Sequence, residues 1–206
     1  VDATQAMGKV DLPYEKIDLL SFSSHKFGGL KGNGGLLYKK TMQFEPILAG
    51  GEQENGFRAG TTNVAGDVST AKALEISLSN RLANYNNAKE IYDYLRGYFL
   101  SDPIQYRIHS DEVSDKQTPY VLNVGFLKKK ASVIVEALSN RDVYVSSVSA
   151  CSSKEAHASN VLLACGYSLE EASNSVRISF SSANTLMEAK QFVSILKEIM
   201  KEVIDR

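Results

Sequence analysis

The chain has 206 residues, enough for one large domain or two small ones around a sizeable core. A formal net charge of −1 leaves no basic footprint for nucleic acid and no polybasic patch for a membrane surface, and no apolar run approaches a transmembrane length. Two cysteines, Cys151 and Cys165, are too few for a disulfide framework and point to a reducing, cytoplasmic setting. Neither they nor the three dispersed histidines are spaced as metal ligands, so no metal site is expected.

Val1-Asp2-Ala3-Thr4-Gln5 opens the chain without a methionine or a signal-peptide pattern, and the expectation is a fragment or a processed chain. An aspartate at a strand end can hold a protonated pyridine nitrogen, and Gln5 can reach a ring hydroxyl from the same turn. For this pentapeptide alone, a turn-capping aspartate is the plainer reading. Ile17 to Phe22 reads as a short apolar strand that runs into Ser23, Ser24, His25 and Lys26. The glycine-rich run Phe27 to Gly35 follows, suited to a backbone that must pass close to something. Most lysines are solvated. One at a strand end beside such a turn also fits a Schiff-base amine, made nucleophilic by burial and neighbouring charge.

Gly34–Tyr38 reads as a second strand, returning antiparallel. Residues 49–66 read as a long polar loop, and Arg58 and Thr61 within it form a cation–hydroxyl pair suited to a phosphate. The spacing from about Asp67 to Leu100 predicts one long helix, whose tyrosines serve packing. Beyond it, strands are predicted at Ile104–His109, Tyr120–Phe126, Val143–Ser147 and Val176–Phe180. Helices are predicted at Ala131–Asn140 and Asn184–Val203, the latter capped by Asn184 or Thr185. This gives an α/β chain divided into residues 1–80, part of a larger domain, and residues 81–206, a smaller α+β domain.

Cys165, in Val-Leu-Leu-Ala-Cys-Gly, reads as a buried small hydrophobe. Cys151 stands instead in a small, polar stretch, with Lys154 and His157 nearby, and reads as an exposed thiol suited to nucleophilic attack.

Together, five blocks resemble the C-terminal half of a cysteine desulfurase of the NifS/IscS-like group, class-V enzymes of fold type I that depend on pyridoxal 5'-phosphate. The blocks are Val-Asp-Ala-Thr-Gln (1–5), Ser-Phe-Ser-Ser-His-Lys (21–26), Arg-Ala-Gly-Thr (58–61), Ser-Ala-Cys-Ser-Ser (149–153) and Ser-Val-Arg-Ile-Ser-Phe (175–180). The resemblance implies that Lys26 carries the cofactor, that Asp2 holds its ring nitrogen and Gln5 its ring oxygen, and that Ser23 and His25 bind its phosphate. Thr61 would add a phosphate contact across the interface of a homodimer. Arg177 would take the carboxylate of L-cysteine, and Cys151 would receive the sulfur as a persulfide for a sulfur-acceptor protein.

Two departures stand out: Val148 where the family's pattern has glycine, and Gly-Gly-Leu-Lys-Gly-Asn-Gly in place of Gly-Pro-Lys-Gly. The N-terminal half of the cofactor domain is not among these residues, so the chain alone is expected to be inactive. Alternatives are a selenocysteine lyase or class-V aminotransferase, the latter without use for Cys151, and a non-catalytic, truncated interaction module.

Overall fold

The computed structural model describes residues 1–147 and 158–203, which fall into two compact units, Val1–Ala83 and Asn84–Arg206. In the first unit, β1 (Leu19–Ser23) pairs antiparallel with β2 (Gly34–Tyr38). On the other edge of β1, Asp2 makes an isolated parallel bridge with Ser21. Ala3 N–H donates to the Ser21 carbonyl (2.8 Å) and Ser21 N–H to the Val1 carbonyl (3.0 Å). The opening residues thus run as a third extended segment beside β1. Ala3, Met7, Leu20 and Phe27 form the small core, against which Ala73 and Leu74 of α1 (Val64–Ser79) pack.

The second unit is a four-stranded antiparallel sheet in the order β3-β4-β6-β5, formed by Tyr106–Ile108, Val121–Phe126, Ser175–Ser179 and Ser146–Ser147. Period-two alternation sends Leu122, Val124 and Phe126 of β4 and Val176 and Ile178 of β6 to one face. The register places Val124 beside Val176 and Leu122 beside Ile178. Helices α2 (Arg81–Leu100), α3 (Ala131–Ser139) and α6 (Leu186–Glu202) bury their apolar stripes in the same core, as with Ile91, Leu95, Ile134, Leu138, Leu196 and Ile199. Each such side chain contributes about 1.5–3 kcal/mol on full burial. Thr185 and Glu188 form a reciprocal capping box at the start of α6. Buried Lys129 donates to the Val203 carbonyl at its end.

Several expectations need correction. The single helix predicted over 67–100 is two, because Asn80 leaves helical geometry (φ −101°, ψ 4°) between α1 and α2. The loop expected over 49–66 contains a 3₁₀ turn, Gln53–Gly56, and α1 already begins at Val64. Two short helices, α4 (Asn160–Ala164) and α5 (Leu169–Ser173), were not anticipated. Cys165, expected to be buried, is exposed at the C-cap of α4, a helix that buries only Leu162. Cys151, with its neighbours Val148, Lys154 and His157, lies outside the described residues.

Candidate active site

A 3₁₀ turn, Ser24–Lys26, continues β1 directly and carries Lys26 half-buried and His25 exposed. The turn is fixed by its backbone. Ser24 N–H donates to the Asn33 carbonyl (3.0 Å), and the Ser24 carbonyl accepts from the amides of Phe27 (3.1 Å) and Gly29 (3.0 Å). Gly29 is required by close approach, since a Cβ there would stand 1.8 Å from Ser24 Oγ. Ser24 itself is fully buried.

Asp2 lies on the neighbouring segment, level with Ser21. Its carboxylate accepts from Thr4 N–H at 2.8 Å, and hydrogen bonds from Thr4 hold it below the ordinary carboxylate range. It is therefore an ionised, solvent-facing acceptor. Gln5 follows in the same turn and accepts through Oε1 from Lys9 Nζ at 3.1 Å. The Lys9 ammonium is held below the ordinary lysine range, first by burial and then by the charge of Lys26. A carboxylate, an amide and two amines are thus brought to the end of β1. Ser23, the last residue of β1, pairs with Gly34 at that same end.

Thr61 is exposed, and its carbonyl accepts from Arg58 Nη1 at 3.5 Å. Arg177 belongs to the second unit, on β6, where it is exposed between the buried Val176 and Ile178. It faces away from the core, in register with Asn123 of β4 and Ser146 of β5. Sequence reasoning missed Lys9, Thr70 and Ser77. Only Lys9 had a local signal, its four-residue spacing from Gln5. Among the described residues there is no cluster of His, Cys, Asp and Glu that could hold a metal, and no helix long and apolar enough to cross a membrane.

Residues 1–192 match the family model described as aminotransferase class-V. The chain belongs to the class-V aminotransferase family. Among its class-V relatives, a "NifS/IcsS protein homolog" of Lactobacillus delbrueckii subsp. bulgaricus is 34% identical over 202 residues, covering 97% of this chain and 52% of that protein. "Cysteine desulfurase IscS" of Methanosarcina thermophila is 33% identical over 204 residues, covering 98% and 50%. Among solved structures, one described as "NIFS-LIKE PROTEIN" superposes with a TM-score of 0.84 at 30% identity, covering 98% of this chain and 52% of that one. A NifS-like protein from Rickettsia africae gives the same TM-score at 27% identity, covering 97% and 52%. The chain spans about half the length of the curated relatives it matches, and so corresponds to one half of a cysteine desulfurase.

Proposed function

We propose that this chain supplies one half of a pyridoxal phosphate-dependent L-cysteine desulfurase. The observation that carries the reading is the bridge between Asp2 and Ser21, which sets an ionised carboxylate on the segment beside the strand that leads into the Lys26 turn. Ligands of α/β proteins bind outside the carboxyl ends of such parallel segments. The donor set also fits the group. Asp2 offers an anionic acceptor for a protonated ring nitrogen, Gln5 an amide for the ring oxygen, and Ser23 and His25 donors for a phosphate. When bound, the cofactor supplies an electron sink for the bonds at the substrate's α-carbon.

The protein's part is binding, orientation and proton movement. The Lys26 amine would hold the cofactor and would take and return protons at the substrate carbon. Arg177 binds the substrate carboxylate through its guanidinium fork. The Cys151 thiolate attacks the substrate sulfur, so a carbon–sulfur bond breaks as a sulfur–sulfur bond forms. The carbon is protonated to alanine, and the protein keeps the sulfur as a persulfide for an acceptor protein. Thr61 reaches the phosphate of a partner subunit in a homodimer. The dependence on a free thiolate suits the reducing cytoplasm.

The two units correspond to part of the cofactor domain and to the smaller domain that bears the thiol. The test supplies the natural protein with pyridoxal phosphate, a thiol reductant and either L-cysteine or L-selenocysteine. Sulfide and alanine released in equal amounts are expected. A keto acid formed without sulfide would replace this reading with an aminotransferase, and turnover confined to selenocysteine would replace it with a lyase.

A further inference from the structure

Gln5 and Lys9 lie one helical turn apart on the loop between the opening segment and β1. A lysine ammonium has donors only, so a Gln5 side chain bonded to Lys9 Nζ must present Oε1 to it. The amide NH2 is then left facing away, available to donate.

The loop that carries Lys9 is itself anchored. Met7 N–H donates to Ala3 O (2.8 Å) and Lys9 N–H to Ala6 O (3.0 Å), winding a turn that ends at Gly8. Gly8 takes φ +74°, which favours glycine, and a Cβ there would stand 2.5 Å from Ser77 Oγ. Ser77 on α1 donates to the Gly8 carbonyl at 2.9 Å, tying the turn to the helix. Solvated Lys–Gln pairs at this spacing are worth only a few tenths of a kcal/mol. Lys9 differs from such a pair in being half-buried and close to the charge of Lys26.

We infer that Lys9 is a positioning residue, whose ammonium locks the Gln5 amide in the one orientation that donates to an anionic ring oxygen. The inference rests on the proposed binding of pyridoxal phosphate at this site. Without Lys9, the amide is free to rotate and present its carbonyl, which repels such an oxygen.

The experiment measures pyridoxal phosphate affinity and the position of the bound cofactor's visible band in the natural protein. The variants are Lys9→Met, Lys9→Arg, Gln5→Ala and the Lys9→Met/Gln5→Ala pair. Lys9→Met is expected to weaken binding by roughly tenfold and shift the band, as Gln5→Ala does, the scale being the loss of one charge-assisted hydrogen bond. Lys9→Arg keeps a donor for Oε1 and restores both. In the Gln5→Ala background, Lys9→Met changes nothing further, because it acts through Gln5. An unshifted band and unchanged affinity in Lys9→Met would overturn the inference. So would losses that multiply in the double variant, which would reveal a direct charge effect, or a defect that Lys9→Arg fails to rescue. If the unsubstituted protein binds no cofactor, the underlying reading of the site fails, and this inference falls with it.

Discussion

The hydroxyls of Thr70 and Ser24 lie 3.0 Å apart, hydrogen-bonded across forty-six positions of sequence. The Thr70 hydroxyl also lies 2.8 Å from the Gly66 carbonyl, one turn back on α1, so its one proton serves Gly66 while Ser24 donates to it, or is shared between the two. The helix therefore grips the turn that carries Lys26 from behind, through a serine with no solvent exposure. Thr70→Val is expected to leave the Ser24 hydroxyl short of a partner and to cost about 1–3 kcal/mol. Urea unfolding of the natural protein checks this, and an unchanged midpoint would show the contact to be dispensable.

Gly29 tests the same turn from its other side. Its absent Cβ leaves room for Ser24 Oγ, and Gly29→Ala would place the two 1.8 Å apart. Either the turn shifts, moving Lys26, or Ser24 leaves Thr70. A loss of about 1–3 kcal/mol is expected, together with weaker cofactor binding. Gly28→Ala, by contrast, meets no atom within 4 Å and suffers only the strain of a φ of +99°. If Gly29→Ala costs less than Gly28→Ala, close approach is not what the position requires.

The second unit carries a pH signature of its own. Burial is the largest cause raising the phenols of Tyr92, Tyr98, Tyr106 and Tyr120 above the ordinary 10.0. The Tyr98 and Tyr106 hydroxyls are further paired at 3.2 Å. A folded-state pKa above the unfolded one means that the folded chain holds protons the unfolded chain releases. The resulting stability is fully present below pH 10.0 and is lost as pH rises through the shifted values. These four should ionise above the ordinary value, together with the loss of helical circular dichroism. Ionisation of these four phenols at the ordinary value, with helices intact, would contradict the packing described.

Helix α1 is apolar on more than one side. Ala73 and Leu74 pack inward, while Val64 (65% exposed), Val68 (63%) and Ile76 (52%) face water. A helix of that composition is normally covered on all sides. Residues 1–206 expressed alone are therefore expected to bind a hydrophobic dye or self-associate, and to retain no stoichiometric pyridoxal phosphate. Sustained sulfide release by that chain alone would show that these residues suffice.

What could be read in the sequence follows the range of the forces involved. Lys26 and Asp2 stand in local blocks whose residue types suit the roles proposed for them, and the return of Gly34–Tyr38 against β1 follows from a glycine-rich connection of fixed length. The break at Asn80 was hidden, because no glycine or proline lies between Gly66 and Gly97 and the helical periodicity continues through it. α5 was missed although Ser168 and Glu171 spell a capping box, since five residues hold too little apolar periodicity to register. The grip of Thr70 on Ser24 and of Ser77 on Gly8 comes only from tertiary packing, across separations that no local pattern encodes.

The thiols separate by substitution. Cys165 is exposed at the end of α4, so alkylation of a thiol does not by itself identify the reactive cysteine. In the natural protein, Cys151→Ala should bind cofactor and L-cysteine yet pass on no sulfur, while Cys165→Ser should keep full transfer. The reverse result would move the persulfide to Cys165.

The central claim is that Lys26 is the residue that holds the cofactor. Its most direct measurement is to load the natural protein with pyridoxal phosphate, reduce it with borohydride, digest it and locate the phosphopyridoxyl group by mass spectrometry. The account predicts the group on the peptide containing Ser23, His25 and Lys26, and its absence, with the visible band, in Lys26→Ala. Modification of another lysine, or a reducible band that survives in Lys26→Ala, would contradict it.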